Sequence, residues 1–420
     1  MLARLAQQLF AAWDNIYTMF AKRVSGVSRR AWLRTAAGGG GVLASGRGAA
    51  PAQVPASPPK LKVTDIKAYI LKTRQILVEV FTDGGITGLG ECSPTVNLEA
   101  LKAIIENQIK RIAVGRSPFD AEIVWNKVYQ DHYKHGHQGV IMFALAGVDI
   151  ALWDVMGKAL GVPCYMMMGG KVRDKAPLYA SAMRVHRKPA EEVKHLEPWI
   201  ARGFTAAKVH PYEFFANDQG YDDTLDVVRA VRAAFGPKLR LFVDMNHAYT
   251  VHRAIQIGRE LEKLGVAMFE EPISPDDYEG YARLCDALDV PVSAGEESCT
   301  RWQHRDLITY GKVDIIQPDV TKCGGLTEIR KIGVLAGIYN KPVVTHNTQP
   351  TLGTAAHWHF WVSEPMCLYE QEYNCEVHAL RDKLQLLKEP LRIEKGFLTI
   401  PDKPGLGVEV NRKVLNQLIA

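Results

Sequence analysis

The chain has 420 residues, of which 47% are hydrophobic and 23% charged, with a net charge of +5; that length calls for roughly two domains, and the composition is that of a globular protein rather than a disordered, collagen-like or membrane one. Lys and Arg are spread along the chain without a clustered stripe, which argues against nucleic acid as a partner. The cysteines (Cys92, Cys164, Cys285, Cys299, Cys323, Cys367, Cys375) show no C-x-x-C pair or metal-finger spacing; they read as small buried hydrophobes, and their odd number leaves at least one thiol unpaired.

Residues 1–60 read as a targeting and linker segment. Ser28-Arg29-Arg30-Ala31-Trp32-Leu33-Arg34 resembles a twin-arginine export signal, and a weakly hydrophobic stretch from Thr35 to Ser45, then Arg47 and the small-residue site Ala50-Pro51-Ala52, follow it. The expected destination is periplasmic; the alternative is a disordered linker after an amphipathic helix (Leu2 to Phe20) in a cytoplasmic protein. Either way the segment is set aside from fold reasoning. No apolar run reaches the ~20 residues of a membrane span.

Residues 61–175 read as an α+β domain. Val63, Ile66, Ala68 and Ile70 alternate as in a half-buried strand, and Ile76 to Phe81 forms a second strand that ends on the turn signal Thr82-Asp83-Gly84-Gly85. Ile86 to Glu91 is a third. Helical spacing then takes over (Leu98, Leu101, Ile104, Ile105, Ile109, and again from Pro118 to Tyr129). Strands followed by helices, without βα alternation, define the class.

Over residues 176–395 the rhythm becomes strand then helix, eight times. The strand candidates are Leu178-Tyr179-Ala180, Ala206 to Val209, Leu241-Phe242-Val243, Ala267-Met268-Phe269, Val292-Ser293-Ala294, Ile315-Ile316, Val343-Val344 and Cys367-Leu368-Tyr369. The expected architecture is an α/β fold, a (β/α)8 TIM-like barrel with an N-terminal α+β capping domain. Residues 396–420 revert to short strand and turn and are expected to pack on the first domain.

Asp244, Glu270, Glu296, Asp319 and His346 each follow one of these strands, at intervals of roughly 25 residues, about one β/α unit. Alone, each would pass for a loop or cap residue; in consecutive units they converge on the barrel mouth, where this fold carries its chemistry. Three carboxylates at one point repel unless a cation sits among them, and an all-oxygen set selects a hard ion such as Mg²⁺. Asp319 and His346, one unit apart, form a candidate dyad in which the acid orients the ring and raises its basicity. Lys208 and His210, i and i+2 on the second strand, point the same way, from the face opposite His346.

These motifs resemble the enolase superfamily in its mandelate racemase branch. The likeness rests on Asp83 to Glu91 (DGGITGLGE), Gly147 to Asp154 (GVDIALWD) running on to Gly169-Gly170, Val243 to Asn246, Phe269 to Pro272, Ala294 to Glu296 and Gln317 to Gly325, and covers about Lys62 to Val410. It implies that the first Glu of each Glu-Glu pair is the ligand, hence Glu270 and Glu296. It also implies that a substrate carboxylate chelates Mg²⁺, that a base removes the α-proton, and that the metal holds the enediolate. Glu370, with Glu372 as the alternative, lines up with the eighth-strand acid that binds the substrate carboxylate, and the branch implies a homo-oligomer. His210 stands where the branch carries a second Lys, which turns the expectation from racemisation toward dehydration of an acid sugar to a 2-keto-3-deoxy acid. The polar loop Asp131 to His137 suits such a polyhydroxylated anion. The alternatives are a racemase or epimerase of a 2-hydroxy or amino acid, and a metal-binding acid-sugar binder without turnover.

Overall fold

In a computed structural model, residues 59–94, 97–183, 187–349, 351–376 and 384–420 are described; the twin-arginine-like stretch lies outside them. Strands β1 (Val63–Ile70), β2 (Ile76–Thr82) and β3 (Thr87–Cys92) make an antiparallel sheet in that order. Gly85 turns the β2–β3 hairpin at φ 74°, a conformation that favours glycine. Helices α1 (Leu98–Ile104), α2 (Ala121–Asp131) and α3 (Val140–Leu160) follow. The Asn97 side chain accepts from the Ala100 N–H and caps α1.

The sheet packs on α3 through glycine. A Cβ on Gly90 would stand 2.0 Å from the Gly147 carbonyl oxygen, and one on Gly88 2.1 Å from that of Ala151. Helix α3 is long and apolar enough to cross a membrane by length and composition, but 89% of its apolar window is buried inside the protein. Its two acids are braces. Asp149 Oδ2 accepts the Thr327 N–H at 2.9 Å. Asp154 accepts from Leu89 N and Leu406 N, both at 2.9 Å, and pairs with Lys158 at 2.6 Å.

The barrel strands are β4 (Ala176–Ser181), β5 (Ala206–Val209), β6 (Arg240–Asp244), β7 (Met268–Glu270), β8 (Val292–Ala294) and β9 (Ile315–Ile316), hydrogen-bonded in that order and parallel. Ile316 bridges to Val343, and β10 (Gln371–Asn374) pairs in parallel with β4, closing the ring. Strand period 2 sorts the interior. Tyr179, Ala206, Phe242, Met268, Ile315 and Val344 form a buried apolar plug, each large member contributing about 1.5–3 kcal/mol. Two residues on from four of these stand Lys208, Asp244, Glu270 and Gln317.

The eighth strand departs from the sequence expectation: it is Gln371–Asn374, not Cys367 to Tyr369, and Leu368 is exposed. Tyr373 packs into the apolar core, while Gln371 is polar yet buried because its side chain closes the barrel. Gln371 Oε1 accepts from Thr345 N at 2.9 Å, and Gln371 Nε2 donates to Val343 O at 3.0 Å, standing in for ladder bonds.

After β10 come β11 (Arg392–Glu394) and β12 (Phe397–Thr399), a hairpin on β4, and α4 (Arg412–Leu418). The end of the chain lies on the first sheet: Leu71 bridges to Ile419, the Ala420 N–H donates to Ile70 O, and Arg412 pairs with Glu79. All seven cysteines are free, and all but Cys285 are buried.

Gly90→Ala should lower stability in urea denaturation by about 3 kcal/mol, because the new methyl meets backbone on a packed helix. Gly85→Ala, with nothing within 4 Å of its Cβ, should cost only about 1 kcal/mol.

Candidate active site

Asp244 ends β6, Glu270 ends β7 and Glu296 follows β8 by two residues. All three are buried, and each offers an oxygen within 4.8 Å of the others. The backbone around them is bent out of strand geometry: Asn246, His247 and Glu271 have φ of 42°, 64° and 39°, and Gly295 has 127°. Left-handed conformations at non-glycine residues persist only where surrounding contacts fix them.

Lys208 enters this cluster from β5. Its Nζ lies 2.6 Å from Glu270 Oε1, 2.9 Å from Asp244 Oδ2 and 3.1 Å from Glu372 Oε1, so its three donors face three carboxylates. Burial opposes its charge, but these acids hold Lys208 well above the usual lysine range. One ammonium does not balance the set. Burial, then the Asp244 charge, push Glu270 well above the usual carboxylate range. Asp244 goes the other way: Lys208 and His210 outweigh its burial and hold it low. Glu270 Oε2 is buried without a hydrogen-bond partner. A hard divalent cation answers both the missing charge and that orphaned oxygen, so Asp244, Glu270 and Glu296 fit Mg²⁺.

His210 places Nδ1 2.5 Å from the Ala182 carbonyl. Its Nε2 stands 2.8 Å from Asp244 Oδ2, close enough for an ion pair but off the line of a hydrogen bond. Across the site His346 Nδ1 donates to Asp319 Oδ2 at 2.7 Å, which leaves Nε2 as its exchanging end, 3.5 Å from Glu296 Oε1. Asp319 Oδ1 accepts from Thr321 N at 2.6 Å and Thr321 Oγ1 at 2.7 Å. Burial pushes Asp319 up, but hydrogen bonding, first from His346, holds it well below the usual range. Burial likewise disfavours the charged form of His346, yet the Glu296 carboxylate and the Asp319 hydrogen bond raise it to about 9.

The structure does not bring Glu370 into this group, which corrects the sequence assignment. With the eighth strand starting at Gln371, Glu370 falls at the opposite end of the barrel, where it pairs with Arg240 and accepts from Thr205 Oγ1 at 3.4 Å. Glu372 points inward instead. Its carboxylate accepts from Ser181 Oγ and Asn347 N, both at 2.7 Å, and faces Lys208. Burial opposes ionisation there, but Lys208, then His346, lower it to about 2. The loop from Asp131 to His137 also offers less than its composition suggests, since His132 is buried and faces Val128 O and Gln108 Oε1, both at 2.7 Å.

Two basic residues escaped the sequence reading. Lys322 Nζ lies 3.2 Å from both Glu296 Oε1 and Glu297 Oε1. His247 Nε2 lies 2.8 Å from Glu271 Oε2. The available signal was a basic residue close to each Glu-Glu pair in space, for which the chain spacing gives no register.

A β/α barrel with carboxylates on successive strand ends and an Asp–His dyad defines a class, and the comparisons agree with it. Residues 52–169 match the mandelate racemase / muconate lactonizing enzyme N-terminal domain, and residues 191–414 the enolase C-terminal domain-like family. The chain belongs to the enolase superfamily, in its mandelate racemase/muconate lactonizing enzyme branch. It is 32% identical to the D-galactarolactone cycloisomerase of Agrobacterium fabrum, over 85% of this chain and 98% of that one. It is 30% identical to the arabinonate dehydratase of Saccharolobus solfataricus, over 81% and 90%. A mandelate racemase/muconate lactonizing protein from Paracoccus denitrificans, solved in complex with magnesium, superposes with a TM-score of 0.79 at 29% identity, covering 85% of this chain and 98% of that one.

Calorimetric titration with Mg²⁺ checks the geometry. Glu270→Gln should abolish measurable binding by removing a carboxylate ligand, whereas Glu370→Gln should leave affinity within about twofold, because its pair with Arg240 lies at the other end of the barrel.

Proposed function

We propose that the protein is a Mg²⁺-dependent hydro-lyase that converts an acid sugar, an aldonate or aldarate, to its 2-keto-3-deoxy acid. The observation that carries this reading is the Asp319–His346 dyad beside the buried acids, with His346 Nδ1 fixed and Nε2 turned to Glu296. The naming of relatives as arabinonate dehydratase and D-galactarolactone cycloisomerase supports the substrate class.

Asp244, Glu270 and Glu296 would hold Mg²⁺, which supplies positive charge for the substrate carboxylate and for the negative charge that grows on it. His346 Nε2 takes the α-proton, and the electron pair of that C–H bond moves onto the carboxylate. The β C–O bond then breaks, its electrons leave with the hydroxyl, and a proton from an imidazolium completes water. The enol left behind tautomerises to the keto acid, so the net change is loss of one water. Asp319 fixes the tautomer that leaves Nε2 free. Glu372 holds Lys208 in place.

A two-base racemase would need a second group able to accept a proton on the opposite face. Lys208 does not suit that part, because its ammonium donors are taken up by three carboxylates. His210, with Nδ1 on the Ala182 carbonyl, keeps Nε2 as the group on that face that can deliver a proton to a leaving group or accept one. We further propose export through the twin-arginine-like segment, which cell fractionation tests.

Incubation with Mg²⁺ and a library of aldonates and aldarates in D₂O should yield 2-keto acid for at least one member. Deuterium uptake at the α-carbon without loss of water would assign an epimerase instead, and neither change across the library would leave a binder. The pH profile supplies a second check. The base must be neutral, so kcat/KM rises with pH through the His346 pKa; that value is about 9 with Glu296 uncompensated, and a cation on Glu296 moves it down. Asp319→Asn removes a group that raises it, so the rising limb should move to lower pH while the plateau falls by about 10²-fold or more.

A further inference from the structure

We infer that His247 is a positioning residue for the carboxylate site: through Glu271 it braces the ends of β6, β7 and β8 and so fixes where Asp244, Glu270 and Glu296 meet. The inference rests on reading those three acids as the Mg²⁺ site, and it concerns the chain's own residues behind them.

The contacts run across all three strand ends. His247 stands three residues beyond Asp244. Its backbone N–H donates to Glu271 O at 2.7 Å, its Nδ1 to Ile273 O at 2.9 Å, and its Nε2 lies 2.8 Å from Glu271 Oε2. This last contact is an ion pair off the line of a hydrogen bond. The other Glu271 oxygen, Oε1, accepts from Gly295 N at 3.4 Å, the residue before Glu296. Both partners are buried, at 5% and 1% exposure. Each ring nitrogen of His247 faces an oxygen acceptor, an arrangement that only the doubly protonated ring satisfies.

Backbone conformation gives an independent observation. His247 and Glu271 both sit at positive φ, 64° and 39°, as does Asn246 between Asp244 and His247. Neither is glycine, so the two left-handed turns that follow Asp244 and Glu270 are held by contacts and not by chain preference. The pair supplies those contacts. Phe215, from the loop after β5, lies over the imidazole at 5.1 Å, and its N–H donates to Asn246 O at 3.1 Å. The brace therefore reaches the segment that follows Lys208 and His210 as well.

Mg²⁺ affinity, read by calorimetry on the full-length protein with circular dichroism and thermal melting alongside, tests this. His247→Leu should keep wild-type secondary structure and raise the Mg²⁺ Kd by about tenfold or more, the usual effect of losing an outer partner of metal ligands. His247→Gln, which keeps a donor, should recover part of that loss, and the isosteric Glu271→Gln should also weaken binding. A lower melting temperature with an unchanged Kd would make the pair merely structural and overturn the inference. Should His247→Leu not fold, wild-type Kd in both His247→Gln and Glu271→Gln overturns it equally. Absence of Mg²⁺ binding by the wild-type protein overturns the metal reading itself, whereas wild-type binding with unaltered variants overturns the brace alone.

Discussion

Negative charge gathered in a dry place is the constraint around which this molecule is built. Asp244, Glu270 and Glu296 share a buried mouth, and no apolar core tolerates three ionised carboxylates without compensation. The surrounding features answer that demand in layers. Lys208 spreads one positive charge over three acids; Glu372 fixes the lysine; His346 and Lys322 face the outer oxygen of Glu296. Beneath them a layer of apolar side chains seals the barrel, so solvent does not relieve the repulsion from below. What remains uncompensated is the room for a divalent ion.

The same logic explains how much was legible in the chain. Strand period 2 and the recurrence of one acid per β/α unit are local patterns, and they place Asp244, Glu270, Glu296, Asp319 and His346 without any knowledge of the packing. The eighth strand was misread for a physical reason. Two of its residues, Gln371 and Glu372, are buried for their hydrogen bonds rather than their hydrophobicity, and the apolar run just before them, with Leu368 exposed, imitates a strand that is not there. A shift of a few residues sent Glu370 to the wrong end of the barrel and obscured Glu372. Lys322 and His247 stayed hidden because each lies in a turn, where side-chain direction follows backbone dihedrals and not periodicity.

The stretch from Gly147 to Asp154, which carried the family resemblance most plainly, turns out to hold no group at the mouth. Its glycine lets a sheet approach a helix, Asp149 accepts the N–H of Thr327 and so caps the helix that starts at Leu326, and Asp154 gathers β3 and the segment near Leu406. Burial, against the Thr327 hydrogen bonds that pull it down, pushes Asp149 up to about 7, so this acid serves as an acceptor near neutral pH whether or not it is ionised. A recognisable motif here reports architecture; the chemistry is written in single residues scattered one unit apart.

That architecture has a consequence for how the chain acquires its shape. The helix start at Thr327 is satisfied by an acid 178 positions earlier, Trp153 donates to Thr327 Oγ1 across a similar gap, and the last residue of the chain bonds back to Ile70. Contacts of such long range close late and slow the search for the native state. They also make the two domains complete one another: a barrel synthesised alone would begin one helix with unmet N–H groups and an exposed seam, and the small sheet alone would lose its final strand-end partner. Exchange of one half for another through recombination would therefore have to carry both sides of the seam.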